Sequence, residues 1–174
     1  AAMSRRLKCH PVGLNERGRV VLKQARHPLL MLAKDQVVPN DIVLEEATRV
    51  LVISGPNTGG KTVLLKAVGL CSLMARAGFY LPCAGKAELP FFDKVLAQIG
   101  DSQNLELSLS SFSGSVRHLR EMLETAHRGS LVVAKDEIRD PAKTLTGRAL
   151  EISLDHRLGQ QARRVCAYFH FAMA

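Results

Sequence analysis

The sequence predicts an α/β fold: a mostly parallel sheet flanked by helices, with a small antiparallel β part at the N-terminal side. Short apolar runs alternate along the chain with segments of helical spacing, as in proteins whose parallel strands are joined by crossover helices. Residues 49–54 (RVLVIS) form a continuous β-branched run, which is typical of a strand buried on both faces. A glycine-rich loop and an apolar helix follow this run directly.

The N-terminal part supplies the antiparallel strands. Residues 19–23 (RVVLK) alternate weakly and predict a short strand, after which the chain breaks at Pro28. Residues 37–44 (VVPNDIVL) predict a turn that leads into a second strand.

Positive charge is concentrated in the same part of the chain. The net charge is +8, and residues 1–34 contribute +7 through eight of the 24 lysines and arginines and one acid. We therefore predict a basic entry arm with a linker strand over residues 1–34 and one globular domain over residues 35–174. Such an arm is either a solvated entry segment or a surface that contacts nucleic-acid phosphates.

The middle of the chain alternates helix and strand. After the loop over residues 55–60, a helix is predicted over residues 61–77; it is apolar nearly all round, so we expect it to be buried. Gly78 stands where a C-terminal capping glycine belongs. A strand is predicted over residues 94–99, followed by a serine-rich loop and a helix over residues 115–127.

Two further strands, the first of them buried, are predicted near the C-terminal end. They cover residues 130–134 (SLVVA) and 164–170 (RVCAYFH), with a helix over residues 141–160 between them.

The composition indicates a cytoplasmic protein. The chain has 174 residues, 47% of them hydrophobic, which is enough for one domain with a core. Its four cysteines are scattered without a C-x-x-C pair, so we expect neither a zinc site nor a disulfide framework. The most apolar run, residues 67–75, is too short to span a membrane, and the N-terminus lacks a signal peptide's apolar core.

Residues 55–62 (GPNTGGKT) carry the spacing of a phosphate-binding loop, G-x-x-x-x-G-K-T. Gly55 and Gly60 let backbone N–H groups face a phosphate, and the following helix adds its positive end. Lys61 is predicted to reach the terminal phosphates, and the hydroxyl of Thr62 is predicted to ligate Mg²⁺. We expect ATP or ADP to bind here with Mg²⁺, because a chance glycine-rich turn would rarely stand between a buried strand and a helix.

Hydrolysis needs acids at the end of a neighbouring strand, and Asp136 and Glu137 follow residues 130–134. Asp136 is expected to hold the metal's water shell, and Glu137 to orient the attacking water. An Asp-Glu pair by itself is more often a solvated loop, so this assignment depends on the phosphate loop in the same chain.

These motifs resemble the MutS family of DNA repair ATPases. The resemblance is carried by the Pro-Asn of GPNTGGKT, by LKAVGLCSLMARAGFYLPC, by DKVLAQIGDSQNLELSLSSFSGSV, and by the Asp-Glu and late Phe-His pairs. ISGPNTGGKTVLLKAVGL and IGDSQNLELSLSSFS are most similar to the bacterial branch that suppresses recombination. The resemblance covers about residues 25–174.

The resemblance implies a P-loop NTPase of the ABC ATPase type that works as a dimer, with each ATP between one subunit's phosphate loop and its partner's serine-rich segment. The implied residues are, for cofactor binding, Gly55, Pro56, Asn57, Thr58, Gly59, Gly60, Lys61, Thr62, Gln103, Ser110, Ser111 and Ser113; for the metal, Thr62 and Asp136; and for catalysis, Glu137 and His170. Without the resemblance, the three serines would be interpreted as ordinary helix caps. His170 would be interpreted as a packing residue near the edge of the sheet, with no catalytic role.

It also implies a larger protein that binds branched or damaged DNA, suppresses recombination and acts in ribosome rescue. We expect the present chain to be a fragment of it that lacks the clamp, lever and nuclease-like regions, so that DNA, a second subunit and the ribosome are the implied partners, with no membrane.

The segment after the acids departs from the family pattern. The family has a glycine-rich turn there, whereas this chain reads DEIRDPAKTLTGRAL, with Arg139 and Pro141 in place of both glycines. Lys135 also stands where the family has an apolar residue, and a lysine in a buried strand is costly unless it is paired. We therefore expect an ATPase whose isolated activity is low. The alternatives are a nucleotide-gated dimerisation switch with little hydrolysis and a small-molecule kinase, which would leave the serine-rich segment unexplained.

Overall fold

The computed structural model describes residues 2–33, 36–48, 50–53, 60–99, 117–118, 120–122, 124–138 and 164–171. In chain order the elements are α1 (Ala2–Arg6), β1 (Val12–Asn15), β2 (Val20–Ala25), α2 (Pro28–Ala33), β3 (Asn40–Leu44), β4 (Val50–Ile53), α3 (Lys61–Arg76), β5 (Ala87–Pro90), β6 (Lys94–Gln98), β7 (Ser130–Ile138) and β8 (Arg164–Phe171). The strands form two four-stranded sheets.

The first sheet is mixed and has the order β1-β5-β2-β3. β1 is parallel to β5, whereas β2 is antiparallel to both β5 and β3. The β2–β3 register shifts between Leu22 and Ala25, and Gln24 at this bulge has a φ of 49°. The carboxylate of Asp41 accepts the Gln24 N–H at 2.7 Å and the Lys23 ammonium at 3.2 Å. These two bonds hold the pKa of Asp41 below its ordinary value and fix the bulge.

The second sheet is parallel throughout and has the order β4-β8-β7-β6. β8, the last of the described strands, therefore lies between β4 and β7. The carboxyl ends of all four strands meet at one edge of the sheet, and the segment that carries the predicted phosphate loop begins there, after Ile53.

Helix α3 lies between the two sheets and joins their cores. Leu65, Val68 and Cys71 of α3 belong to one hydrophobic cluster with Leu22 of the mixed sheet and Val133 of the parallel sheet. Burial raises the pKa of the Cys71 thiol to about 12, which is consistent with its place inside this cluster. The helix is therefore buried on two sides, as its apolar sequence predicts.

The C-terminal end of α3 is closed by a glycine motif. Gly78 has a φ of 77°, its N–H donates to the carbonyl of Ala75 at 3.0 Å, and the N–H of Phe79 donates to the carbonyl of Met74 at 2.9 Å. This pattern of bonds satisfies carbonyls that would otherwise lack a helical partner. The prediction that Gly78 caps the helix is confirmed.

The predicted fold class is wrong in its architecture. The sequence predicted one mostly parallel sheet flanked by helices, a P-loop NTPase of the ABC ATPase type, with a small antiparallel part. The described strands instead divide equally between a mixed sheet and a parallel sheet. Helices are few in the described ranges: α1 and α2 have five and six residues, α3 has 16, and the described positions within 117–125 are also helical. The mixed sheet was underestimated because β1 and β5 are four residues each and pair across a long sequence separation, which leaves no periodic pattern.

The local predictions are better. The structure confirms, to within three residues at each end, the strands predicted over 19–23, 37–44, 49–54, 94–99 and 164–170 and the helix predicted over 61–77. Residues 117–125 are helical at every described position, in agreement with the helix predicted over 115–127. The helix predicted over 141–160 lies outside the described residues. None of the helices in the described ranges is long and apolar enough to cross a bilayer.

Candidate functional site

The described part of the candidate site begins at Gly60, immediately before α3. Gly60 is the N-cap residue and has a left-handed backbone with a φ of 72° and a ψ of 12°. Its carbonyl accepts the Leu64 N–H at 3.0 Å and so starts the helical ladder. An L-residue is strained at this φ, so a glycine here indicates a backbone that has to turn sharply into the helix.

Lys61 is the first residue of α3 and is only 5% exposed. Its first turn contains no acidic residue, so the positive end of a 16-residue helix and one ammonium group act together at this point. Thr62 follows and is half-buried. A buried cation at a helix N-terminus is an arrangement that favours an anion, and phosphate is the anion for which this loop spacing is suited.

The register of the parallel sheet places the two acids at the same edge. Asp136 pairs with Phe169, and Glu137 pairs with His170, across the β7–β8 ladder. One row earlier, Ile53 pairs with Tyr168. Both acids thus lie just beyond the level at which β4 ends, two strands away from it.

The acids lie within β7, whereas the sequence predicted them after it. The prediction ended the strand at Ala134, but β7 continues to Ile138 because β8 pairs with it along that whole length. Tertiary pairing here outweighs the low β-propensity of Asp and Glu.

The two faces of β7 have different neighbours. Leu131 and Val133 belong to the core that contains α3, and a Cβ built on Gly69 of α3 would lie 3.7 Å from a methyl group of Val133. Val132, between them, is fully buried outside that cluster. Since successive strand residues alternate between faces, one face of β7 packs against α3 and the other face lies outside that cluster.

Measured along the direction of the strands, the two acids lie at the same level as the first residue of α3. The helix runs back along the sheet, because its last residue, Arg76, donates to the carbonyl of Asp93 just before β6 begins. From the Val133–Gly69 contact, four strand residues to Glu137 advance about 13 Å, and eight helical residues back to Lys61 cover about 12 Å. Glu137 and Lys61 are therefore on one level of the fold.

The remaining predicted site residues lie outside the described residues. They are Gly55, Pro56, Asn57, Thr58 and Gly59 of the loop, and Gln103, Ser110, Ser111 and Ser113 of the serine-rich segment. Lys61, the two acids and position 170 lie at one level of the fold, and the functional roles of all the predicted site residues stay predictions.

The donor set at this edge fits a nucleotide with Mg²⁺. A buried ammonium and a helix N-terminus suit phosphate, and the carboxylates of Asp136 and Glu137, with the Thr62 hydroxyl, are oxygen ligands of the kind that Mg²⁺ prefers. Sequence reasoning missed one supporting residue, Gly69, although a glycine inside a helical pattern is itself a sign of close packing. A Cβ at this position would lie at ordinary van der Waals distance from Val133 and Val95, so Gly69 marks where α3 packs on the parallel sheet.

A cavity of about 470 Å³ opens elsewhere, on the mixed sheet. It is lined by Gly13, Leu14, Asn15, Arg17, Arg19, Glu45, Glu46 and Glu88. Ion pairs bridge it: Arg19 lies 3.3 Å from Glu45 and 3.7 Å from Glu88, and Arg17 lies 3.8 Å from Glu46. None of the predicted site residues lines it, so its volume does not identify the functional site.

The basic N-terminal segment is built into the mixed sheet. Leu7, Val20 and Leu22 are buried in the core, and β1 and β2 supply two of the four strands. The ion pairs of Arg17 and Arg19 neutralise part of its charge. The division at residue 34 stays a prediction.

Comparisons with known proteins agree with one another. The family model described as MutS domain V matches residues 51–173. A protein named endonuclease MutS2 from Shouchella clausii (strain KSM-K16) is 46% identical over 144 residues, which cover 82% of this chain and 18% of the relative. Proteins of the same name from Geobacillus sp. (strain WCH70) and Bacillus cytotoxicus are 44% and 40% identical over 166 and 171 residues, covering 95% and 98% of this chain and 21% of each relative. The chain thus spans about a fifth of the length of these relatives.

Proposed function

This chain belongs to the MutS family, and from that premise we propose that it binds ATP and hydrolyses it with the help of Mg²⁺. The observation that carries the proposal is the common level of Lys61 and Glu137 at one edge of the parallel sheet. This common level supports a shared role for the end of the phosphate-loop sequence and the acid pair, although more than seventy residues separate them in the chain.

In this proposal each group at the edge has a separate task. Backbone N–H groups of residues 55–60 surround the phosphates, and Lys61 balances their charge. Thr62 and Asp136 would hold Mg²⁺, which would supply charge neutralisation at the terminal phosphate. Glu137 orients the attacking water and accepts its proton, and His170 and Gln103 assist from neighbouring positions.

Hydrolysis also requires a second copy of the chain. Ser110, Ser111 and Ser113 of the partner would close on the terminal phosphate of a nucleotide held by the first copy. Removing one such positioned donor typically lowers a rate by about 10²–10³-fold. A chain that dimerises weakly therefore still binds its nucleotide but hydrolyses it slowly. Such slow hydrolysis corresponds to the alternative function, a nucleotide-gated dimerisation switch.

The larger protein is proposed to act on DNA in the cytoplasm. The relatives' name, endonuclease MutS2, motivates a DNA substrate, and the resemblance adds suppressed recombination at branched DNA and, as a further role, ribosome rescue. Within this chain, Arg5 and Arg6 of α1 are exposed and form no carboxylate ion pair with any described residue. They are the proposed phosphate contacts.

Calorimetric titration with ADP in MgCl₂ tests nucleotide binding. The Lys61→Ala variant is expected to lose at least about tenfold in affinity, because a desolvated charge pair is removed from the phosphate. Lys66→Ala is the matched control: it removes an exposed lysine from the same helix, and its affinity should equal that of the wild type. Equal binding by the wild type and Lys61→Ala would refute the assignment.

Hydrolysis is tested by multiple-turnover phosphate release at several protein concentrations. A site completed by a second copy gives a specific rate that rises with concentration. A fast rate that is independent of concentration would show a site complete within one chain.

A further inference from the structure

A short antiparallel bridge joins the basic N-terminal segment to the segment that follows α3. The His10 N–H donates to the carbonyl of Leu81 at 2.8 Å, and the Leu81 N–H donates to the carbonyl of His10 at 2.9 Å. Partners that exchange two such bonds have Cα atoms about 5.5 Å apart. The Cys9 N–H donates to the carbonyl of Ser4 at 2.8 Å, so α1 is tied to the residue that precedes the bridge. The bridge therefore places α1 beside the segment after α3.

Two aromatic side chains are exposed directly before the bridge. Phe79 is 49% exposed and Tyr80 is 52% exposed. The backbone on either side of them is fixed: the Phe79 N–H donates to the carbonyl of Met74 in the cap of α3, and Leu81 is fully buried. Two large rings are thus held at the surface by an ordered backbone. Single exposed apolar residues are ordinary, whereas an adjacent aromatic pair on a charged surface indicates a binding role.

The two segments that meet at the bridge are strongly positive. Residues 2–10 and 76–86 together contain five lysines and arginines and no acid. The five are Arg5, Arg6, Lys8, Arg76 and Lys86. Each is exposed, and none of them forms an ion pair with a carboxylate in the described part of the chain. Positive charges that have no carboxylate partner favour the binding of a polyanion.

The aromatic pair distinguishes one polyanion from another. A single strand of nucleic acid exposes the faces of its bases, which stack on aromatic side chains while basic groups neutralise its phosphates. The bases of a duplex are stacked on one another, so their faces are closed to such contacts. We infer that Phe79 and Tyr80 form a stacking surface for single-stranded DNA, whose phosphates contact the basic residues of α1. The inference rests on the DNA contact proposed above for Arg5 and Arg6 and deepens it by naming the form of DNA.

The test measures fluorescence anisotropy at one fixed salt concentration with two labelled DNAs, an oligo(dT) of about 16 nucleotides and a duplex of the same length. We expect the wild type to bind the single strand more tightly, although the duplex has the higher charge density. Phe79→Leu and Tyr80→Leu each remove a ring and keep an apolar side chain. Each should weaken single-strand binding by at least about fivefold and leave duplex binding unchanged.

Tyr80→Phe is the matched control, because it retains the ring and removes only the hydroxyl. Its affinity for the single strand should equal that of the wild type. Circular dichroism establishes that each variant is folded. A wild type that prefers the duplex would overturn the inference without any variant, and so would unchanged single-strand affinity in both leucine variants.

The double variant Arg5→Glu, Arg6→Glu separates this failure from failure of the proposed DNA contact. If it weakens binding of both DNAs while the two leucine variants bind the single strand as the wild type does, the stacking surface alone is refuted. If it binds both DNAs as the wild type does, the proposed phosphate contact is wrong and the inference falls with it.

Discussion

Glu137 of β7 and His170 of β8 are direct partners in the parallel ladder. Neighbouring strands lie about 4.8 Å apart, so an acid and a histidine that are distant in sequence occupy one row of the sheet. That row lies beyond the pair formed by Ile53 and Tyr168, at the edge where β4 ends. The proposed water-activating acid and the late histidine are therefore positioned by one and the same strand pairing.

The first prediction concerns this row. Glu137→Gln should lower the rate of phosphate release by about 10²-fold or more, because an amide does not accept the proton of the attacking water. The dissociation constant for ADP should be unchanged, since Glu137 is not proposed to bind it. Phosphate release and calorimetry measure the two quantities, and an unaltered rate would exclude Glu137 as the base.

A second prediction separates backbone strain from nucleotide binding. Gly60→Ala forces an L-residue to a φ of 72°, although a Cβ there meets no atom within 4 Å. Gly85→Ala is a matched control, with a φ of 68° and equally open space. Each substitution should lower the free energy of unfolding by about 1–2 kcal/mol.

Only Gly60→Ala should also weaken ADP binding, because Gly60 adjoins the phosphate loop. Urea unfolding and calorimetry together measure both effects. Equal ADP affinity in the two variants would show that the left-handed turn at Gly60 does not shape the site.

The third prediction is a stabilising substitution. A Cβ added at Gly69 would meet Val133 at 3.7 Å and Val95 at 4.0 Å, which are ordinary van der Waals contacts. Gly69→Ala should therefore raise the free energy of unfolding by up to about 1 kcal/mol through its higher helix propensity. Gly69→Leu should lower it by about 1–3 kcal/mol, because the larger side chain overpacks the contact. A loss of stability in Gly69→Ala would mean that helix and sheet are closer than described.

The fourth prediction concerns pH. His27 precedes α2, and its Nδ1 accepts the Leu30 N–H at 3.3 Å, so the cap needs the neutral ring. Burial, followed by the charge of Lys66, holds the pKa of His27 below its ordinary value of 6.5. The unfolded chain then binds more protons than the folded chain between the folded pKa and about 6.5.

The contribution of His27 to stability is therefore complete above about pH 6.5 and is lost as the pH falls toward the folded pKa. Urea unfolding at a series of pH values measures this loss. His27→Asn keeps a hydrogen-bond acceptor at the cap, and asparagine does not titrate in this range. The free energy of unfolding of this variant should therefore fall less between pH 7 and pH 5 than that of the wild type. The range is chosen to include the ordinary histidine pKa. Parallel curves for the two proteins would contradict the assignment.

The fifth prediction concerns DNA. Replacing both Arg5 and Arg6 of α1 with Glu should weaken DNA binding. It should also reduce the slope of the logarithm of affinity against the logarithm of salt concentration by the amount expected for about two phosphate contacts. The double substitution is preferable to deleting the segment, because Leu7 is buried and β1 pairs with β5. Fluorescence anisotropy over a range of salt concentrations measures the slope, and an unchanged slope would place DNA binding elsewhere.

The parts of the fold that were predicted correctly are those with a local signal. β4 is a continuous apolar run, and α3 combines an apolar pattern with a capping glycine, so both were found from sequence. α2 was missed because it is short and is capped by His27, a residue type that is uncommon at that position.

The size of the mixed sheet was not predictable in the same way. β1 has Gly13 at its centre and β5 contains Glu88 and Pro90, so neither shows an alternating pattern. Their pairing depends on contacts between residues about seventy positions apart, such as Val12 with Ala87. For the candidate site, the motif named the candidate residues, whose roles stay predictions, whereas the register that aligns Glu137 with His170 required the structure.

The strand order of the parallel sheet has a consequence for biosynthesis. Among the described strands, β4 pairs with β8 alone, and β8 is the last of these strands to be synthesised. Until residues 164–171 have been synthesised, β4 presents unpaired backbone groups. β7 then pairs with β6 but lacks β8, its neighbour on the opposite side. A nascent or truncated chain that stops before residue 164 would therefore hold its phosphate-loop strand apart from the strand that carries the acids. Such a chain exposes two strand edges to other nascent chains, and chaperone retention and aggregation are its expected fates.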